Sequence, residues 1–452
     1  TQGTFSPYGI NWSNYFDGSN DNLNYIAGTS LNFGTGDFTI ELFVNLVNTG
    51  TYSAFLRADQ NSTNCPDFGY DFGTGQLKFD VRLTAILDVT TPMPTNQWVH
   101  IAVSRSGTTL RMFVNGVQVG STTNSTNFPS TAQAVRIGGS SFSSAHSVKG
   151  YISNFRVVNG TALYTSAFTP PVAPLTAITN TSLLTCQSNR FVDNSTNNYT
   201  LSRTGEVSVQ RFGPSTIMPA YSTGTEGGSA YFDGTGDYLS GSSSTGATNF
   251  GTGDFTVECW IYFTTVANQS NFIDNIGNST YTLYIAAGGQ LYFYNGANVI
   301  TGSVLTAGQW YHIALVRSSG VTKLWLNGAQ SGSNYSDSNN YAGGATYPYI
   351  GAAFNTSTYH TGYITNVRCV KSAVYTAAFT PPSSPLTAIA NTSLLLSCTN
   401  AGIIDNAEMS VLETAGNAQV STTQSKFGGA SMYFDGSGDY LSLIQTSPNL
   451  LF

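Results

Sequence analysis

The chain has 452 residues and a formal net charge of −7, and only 9% of its residues are charged, against roughly 25% in an ordinary soluble protein. Aromatic residues make up 13% of it, which excludes the composition of a disordered chain. The lack of any basic run argues against nucleic-acid binding, whose affinity comes largely from Lys and Arg meeting phosphates, and no apolar run reaches the ~18 residues of a membrane-spanning helix.

In chain order, TQGTFSPYG at the start is like VQRFGPSTI at 209–217. YFDGSNDNL follows at Tyr15 and returns as YFDGTGDYL at Tyr231 and YFDGSGDYL at Tyr433. Next comes NFGTGDFTIELFV at 32–44, matched by NFGTGDFTVECWI at 249–261. Phe38, Ile40, Leu42 and Val44 alternate with Thr39, Glu41 and Phe43, the period-2 pattern of a half-buried strand. WVHIAVSR (98–105) and WYHIALVR (310–317) predict further strands. RMFVNGVQVG and KLWLNGAQSG each place Asn-Gly between apolar runs; both residues tolerate positive φ, so a type I′ hairpin is expected at each.

A late strand with a tail occurs twice, as GYISNFRVVNGTALYTSAFTPP from Gly150 and GYITNVRCVKSAVYTAAFTPP from Gly362. The copies set a repeat of about 210 residues, long enough to bury its own core. Pro lacks the N–H and fixes φ, so TPPVAP and TPPSSP cannot join a central ladder and read as exits from a unit. Tyr164 and Phe168, with their counterparts Tyr375 and Phe379, are expected to pin the exit arm back onto a domain and make it a joint between units. The expected units are 1–172, with opening strands upstream; 173–384; and 385–452, the start of a third, so that the chain is a slice of a longer array. Many short strands with turn signals and no amphipathic helix make the fold all-β, a tandem array of antiparallel β-sandwich or jelly-roll units.

The order FDGxxDYL, FTxExWV, WxHIAxxR, LxxNG, GYIxNxRV resembles the laminin-G-like, concanavalin A-like jelly rolls. The GYI…FTPP tail and the SLL…DNS…VSVQRF lead-in are similar to versions in phage tail and fibre structural proteins. The resemblance implies two packed antiparallel sheets, frequently a bound calcium, and often glycan or protein binding. This chain departs from the family's pattern in the late strand, where many members carry an acidic pair and it has Ser153-Asn154 and Thr365-Asn366.

Calcium takes six to eight oxygen ligands. The candidate donors for a structural ion are Asp17 with Asp21 and Asp233 with Asp237, on Gly-rich turns, joined by Asp193-Asn194; Asp and Gly are also simply good turn residues. For a glycan, which needs aromatic faces with amides and carboxylates beside them, the candidates are Glu41, Phe43, Glu258 and Trp260. These carboxylates either reach a ligand on a concave face or tie neighbouring strands together. The second unit is also rich in tyrosine, at Tyr281, Tyr284, Tyr292 and Tyr294. Retaining glucanases place two carboxylates on one strand face, but Glu41 and Glu258 have no carboxylate at +2 or +4. His100 and His312 occupy matching strand positions and read as structural; His146 and His360 read as loop residues. Of the five cysteines, Cys186 and Cys398 match, while Cys65, Cys259 and Cys369 do not. That is no disulfide framework, and buried small hydrophobes are expected.

The expected function is non-enzymatic: a surface appendage, such as a phage tail fibre or virion structural protein, binding host-surface glycans with avidity from repetition. It would be extracellular or on a virion surface, as a homo-oligomer or repeat array. The alternative is a purely structural filament or capsid-decoration repeat contacting other virion or filament subunits. A glycoside hydrolase ranks last.

Overall fold

The structure is a computed structural model. It describes residues 7–8, 11–26, 31–58, 66–81, 84–128, 134–140, 146–215, 227–241, 247–275, 281–341 and 348–398, and the backbone of 411–415, 419–421, 431–433 and 440–444. Cys65 lies outside these residues, as does most of the third YFDG copy. Two compact units divide the chain: a first module, Ile10–Pro219, and a second, Ala220–Phe452 together with Thr1–Gly9. No α-helix occurs among the described residues.

In the first module, one sheet runs in the order Val117–Thr123, Thr109–Val114, Val99–Ser106, Phe38–Leu46, Lys149–Asn159, Ser13–Asp17, Ser208–Gln210. The other runs Ser202–Thr204, Asn22–Ile26, Ala134–Ile137, Tyr52–Ala58, Pro66–Asp71, Gln76–Val81, Thr84–Thr90. Alternate residues of each strand face the other sheet, as where Phe38 meets Phe79 at 5.9 Å between ring centroids. The second module repeats the plan, with Phe255–Phe263 between Trp310–Ser318 and Thr361–Val370 in one sheet, and Asn298–Val304, Gln290–Tyr294, Thr282–Ile285, Ser270–Asp274, Tyr349–Ile350 and Tyr238–Gly241 in the other. Val257, Ile261, Leu283, Phe293 and Ile350 belong to its core. The fold is therefore two tandem all-β sandwiches.

The recurring NFGTGD loop wraps a buried cation. Arg105 is fully buried and donates to the carbonyls of Gly34, Gly36 and Thr126, with Phe38 and Phe128 rings about its guanidinium at 5.1 and 5.0 Å. Arg317 repeats this with Gly251, Gly253 and Asn339. The hydrogen bonds and the ring faces offset the cost of desolvating the charge.

The sheets do not divide at residue 172, where the prolines put the end of a unit. Thr181–Thr185 pairs with Lys149–Asn159, Ser202–Thr204 with Asn22–Ile26, and Ser208–Gln210 with Ser13–Asp17. The prolines keep the chain out of the ladder, as expected, but the chain doubles back and supplies strands to both sheets of the module it has just left. In the second module Thr392–Leu396 likewise returns to Thr361–Val370.

Two devices turn the arm back. A bulge interrupts the pairing of Lys149–Asn159 with Phe38–Leu46 between Ser153 and Arg156. There Asn154 sits at φ 52°, a left-handed conformation that Asn tolerates better than most residues. Its Nδ2 donates to Ser153 Oγ at 2.8 Å, and its Oδ1 accepts the Leu175 N–H at 2.7 Å, fastening the far end of the arm. Asn366, at φ 52°, does the same for Leu386 at 2.7 Å. The Ser153-Asn154 and Thr365-Asn366 pairs are thus a bulge and an arm anchor.

The second device is the Asn-Gly hairpin. Asn115 and Gly116 have φ of 48° and 76°, and Asn327 and Gly328 have 50° and 82°, the signs a type I′ turn requires. The Gly116 carbonyl accepts the Phe168 N–H at 2.9 Å, and a Cβ on Gly116 would overlap the Phe168 carbonyl oxygen. Gly328 meets Phe379 in the same way. Gly116→Ala should therefore cost more than turn strain alone, about 1–3 kcal/mol or more. Gly107→Ala is the control: φ is 56° but nothing lies within 4 Å. Urea unfolding of both variants checks this, and equal losses would remove the arm from the explanation.

Candidate functional site

Under each arm lies a buried carboxylate. Glu41 stands on the face of Phe38–Leu46 turned away from the sandwich core and is 0% exposed. Four donors converge on it. Arg156 Nε and NH2 reach Oε1 at 2.9 and 2.5 Å. His100 Nε2 lies 3.1 Å from Oε2, and the Tyr164 hydroxyl donates to Oε2 at 2.7 Å. Arg156 also donates to the Thr176 carbonyl at 2.9 Å, so it grips the arm directly. Phe168 stacks on Tyr164, with centroids 3.6 Å apart, and meets the rings of His100 and Phe113 edge-on. Glu258, His312, Arg368, Tyr375, Phe379 and Trp325 build the same group in the second module.

Burial alone would raise the Glu41 pKa. The hydrogen bond from His100, the Arg156 charge and the Tyr164 hydroxyl outweigh it and hold the carboxyl below its usual value. Glu258 is depressed in the same way. Desolvation and the adjacent carboxylate push the Tyr164 and Tyr375 hydroxyls far up, so both remain donors.

Two sequence expectations change here. The strand Phe38–Leu46 is buried along all nine residues, because the arm covers the side that the alternation marks as open. The four nominated glycan residues are also internal: Glu41 and Glu258 are 0% exposed, Phe43 7% and Trp260 2%. Tyr8 meets Trp260 edge-on at 6.1 Å. The carboxylates tie strands and arm together, and no ligand face opens there. The two histidines are structural, as expected.

The calcium candidates organise turns. Asp21 is 0% exposed; its Oδ2 accepts the Asp17 N–H at 2.7 Å and its Oδ1 the Glu206 N–H at 2.6 Å. Burial, opposed by these bonds and reinforced by the Asp17 charge, pushes its carboxyl up to about 6. Asp17 caps the Ser19 N–H at 2.6 Å. In the second module Asp237 accepts from the Asp233 N–H, and Asp233 from the Thr235 N–H. Asp193 takes the N–H groups of Leu184, Ser195 and Tyr199, while exposed Asn194 donates its N–H to the Leu184 carbonyl. Among the described residues no three His, Cys, Asp or Glu side chains gather as metal ligands. The donor set does not fit the six to eight oxygens of a calcium site.

The remaining candidate surface is the outward face of the other sheet, where the modules diverge. Strand register aligns them position by position. In the first module one row across the strands is Asp80, Asp67, Arg57, Arg136; in the second the same row is Tyr294, Thr282, Asp274, Tyr349. The neighbouring row begins Asp88, Lys78, Gly69 in the first and Thr301, Tyr292, Tyr284 in the second.

The first module's face is a closed ionic network. Arg57 Nε lies 2.9 Å from Asp67 Oδ2, both nearly buried. The Tyr52 hydroxyl donates to Asp67 at 2.8 Å, and His146 Nδ1 lies 2.9 Å from Arg57 NH1. Lys78 lies 3.4 Å from Asp88. Burial and the neighbouring Asp88 push the Asp80 carboxyl up to about 7. Asp80 Oδ1 and Asp88 Oδ1 are shielded from solvent and have no hydrogen-bond partner.

The second module's face is aromatic. Tyr284 and Tyr292 stack with centroids 5.3 Å apart, and Tyr238 and Tyr349 at 5.0 Å. All four, with Tyr294, are half-buried, and Phe354 beside Tyr349 is 36% exposed. Tyr281, by contrast, is in the core at 0%. Asp274 is buried within this face and accepts from Thr282 Oγ1, the Phe354 N–H and Asn271 Nδ2. Sequence reasoning singled out Tyr284, Tyr292 and Tyr294 but missed Tyr238 and Tyr349, which lie on distant strands. It also missed Arg156 and Arg368, although Arg recurs with Glu in both copies of a chain with few charges.

The sequence model of the concanavalin A-like lectin/glucanases superfamily matches residues 17–164 and 232–378. The chain belongs to this superfamily, as two tandem domains. No curated protein matches it. Among solved structures it is similar to domains LG4-5 of the mouse laminin α1 chain, at 14% identity and a TM-score of 0.29, covering 84% of this chain and 94% of that one. A putative carbohydrate binding protein from Bacteroides ovatus aligns at 16% identity and a TM-score of 0.33 over 46% of this chain and 62% of that one. The carbohydrate-binding module CBM40 of the Ruminococcus gnavus IT-sialidase, bound to α2,3 sialyllactose, aligns at 13% and 0.25 over 32% and 91%.

The remaining cysteines, Cys186, Cys259, Cys369 and Cys398, are all buried, as expected of small hydrophobes. His360 lies in a loop, as expected, just before the strand Thr361–Val370, but it is fully buried against Ser270 Oγ at 2.9 Å, and burial drives its ring down to about 3.

Glu41→Gln leaves Arg156 buried without its counter-charge and should cost about 3–5 kcal/mol, read as a lower urea midpoint. A loss below ~1 kcal/mol, the range of an exposed ion pair, would contradict the role assigned to the cluster. Asp80 carries the opposite sign of pH dependence. Its carboxyl is raised from the ordinary value, so the folded state binds the extra proton and the wild type loses stability as pH rises from about 4 to about 7. Asp80→Asn removes this component, and its stability relative to wild type should be better at about pH 8 than at about pH 5. An unchanged difference between the two pH values would count against the raised Asp80 carboxyl.

Proposed function

We propose that the chain is a non-enzymatic carbohydrate-binding array, part of a surface appendage such as a tail fibre, that engages host-surface glycans outside the cell. The observation that carries this reading is the outward tyrosine face of the second module. Apolar ring faces of sugars pack on aromatic side chains, and amides and hydroxyls between them hold sugar hydroxyls. Tyr284, Tyr292, Tyr294 and Tyr349 supply the rings; Asn298, which accepts from the Tyr284 hydroxyl at 2.9 Å, and Thr301 supply polar groups at its edge. Membership of a lectin/glucanase superfamily supports the class of ligand. The non-enzymatic half rests on chemistry: Glu41 and Glu258 are fully buried beneath the arms, and the unpaired oxygens of Asp80 and Asp88 are shielded from solvent.

A structural role is the second reading, and the first module favours it, since its face pairs Arg57 with Asp67 and Lys78 with Asp88. Glycan-array binding of the full chain separates the two. A Tyr284→Ala, Tyr292→Ala double variant should weaken binding at least about fivefold, taking about 0.5–1.5 kcal/mol per ring beyond area, with an unchanged unfolding midpoint. Absence of any glycan binding by the wild-type chain would leave only the structural role.

A further inference from the structure

The two modules share a frame but not a face, and this bears on how many ligands the chain takes and of what kind. In the second module Tyr294, Thr282, Asp274 and Tyr349 lie in one row across four adjacent strands. Three strand spacings put the outer tyrosines about 14 Å apart. A single sugar ring cannot touch both; a chain of several rings laid across the strands can. The side chains between them are short, Thr282 and Asp274, so the row is low in the middle and aromatic at both ends.

The row also sets the charge of what it accepts. Asp274 is its one carboxylate, 1% exposed, and accepts from a hydroxyl, an amide and a backbone N–H. No Lys or Arg stands in the row to meet a carboxylate or sulfate, and no free carboxylate to meet an amine. The first module places Asp80, Asp67, Arg57 and Arg136 at the same four positions. Those groups engage one another and neighbouring side chains, and an uncharged ring laid on them would desolvate charges without replacing their partners.

Resting on the carbohydrate reading above, we propose that the chain holds one site, not one per module: the Tyr294–Tyr349 row of the second module, specific for an uncharged glycan chain of several residues lying across the strands. Repetition of the fold then multiplies the frame and varies the ligand, so that avidity for a single glycan does not come from these two modules.

Isothermal titration of the full chain tests this, with neutral hexasaccharides (malto-, cello-, manno- and xylo-) and anionic ones (alginate and polygalacturonate) as probes, beside the matching disaccharides. One neutral hexasaccharide should bind at one per chain and its disaccharide at least about tenfold more weakly. Tyr294→Asp and Tyr349→Arg, which install the first module's residues, should each cost about tenfold or more for the hexasaccharide, while Tyr294→Phe retains binding and Lys78→Gln in the first module changes nothing. Unchanged unfolding midpoints show that the variants fold. Two sites per chain, preference for the anionic probes, or indifference to Tyr349→Arg would overturn the proposal and leave carbohydrate binding standing. Failure of every glycan to bind, here and on the array, would overturn both.

Discussion

A carboxylate at 0% exposure on the outer side of a sheet is a demand that the rest of the module has to meet. An isolated buried charge is too costly to keep, so Glu41 and Glu258 require donors from several directions. The adjoining strands supply Arg and His. The remaining lone pair of Oε2 is taken by a tyrosine that lies beyond the sheet, on the arm. Satisfying the carboxylate therefore fixes the path of the chain after its last long strand. The arm must return over the sheet, which requires an anchor for its far end, supplied by the bulge residues Asn154 and Asn366, and a glycine where the backbone of Phe168 or Phe379 crosses the hairpin. Once turned back, the chain is positioned to pair again with the module it came from.

This dependence divides the surface into two kinds. One sheet's outer side is covered by the arm over its central strands, and a change to Glu41 or its partners there disturbs a coupled group of charge, ring and hydrogen bond. The other sheet's outer side has no such obligation. Its core-facing residues (Phe68 and Phe79, or Leu283 and Phe293) hold it in place, and the outward positions between them are free to change chemistry. Lys78 and Tyr292 occupy equivalent positions on backbones with the same register, which is possible only because neither side chain holds the sandwich together.

The local features were legible because each has a local cause. Asn-Gly needs positive φ, alternation marks strands, and Asp with Gly marks the YFDG turn; the structure shows these where the sequence places them. What was not legible depended on a segment distant in sequence. The arm's coverage of Phe38–Leu46 could not be read from that strand's own alternation, and the prolines signal only that a ladder ends, not where the chain goes next. Of the candidate site, the strand rule was sufficient for Tyr284, Tyr292 and Tyr294 and would also have separated them from Tyr281, which shares the parity of Leu283. Tyr349 and Tyr238 needed the sheet order. For Glu41 and Glu258, both roles were in view, and the outcome turned on whether Tyr164 and Tyr375 came back over them.

The same physics explains why duplication suits this fold. A copied module inherits a coupled group that tolerates little change beside a face that tolerates much. Loss of one member under the arm strands a buried charge, so the Glu–His–Arg–Tyr set is kept or lost as a unit. Replacing an ion pair on the open face by two tyrosines removes a desolvated pair whose net contribution is small and adds ring area to a surface already backed by a packed core. Between these two modules the Glu–His–Arg–Tyr set is unchanged while the charges of the open face give way to tyrosines, so a chain of such modules can carry different surface chemistries on one frame.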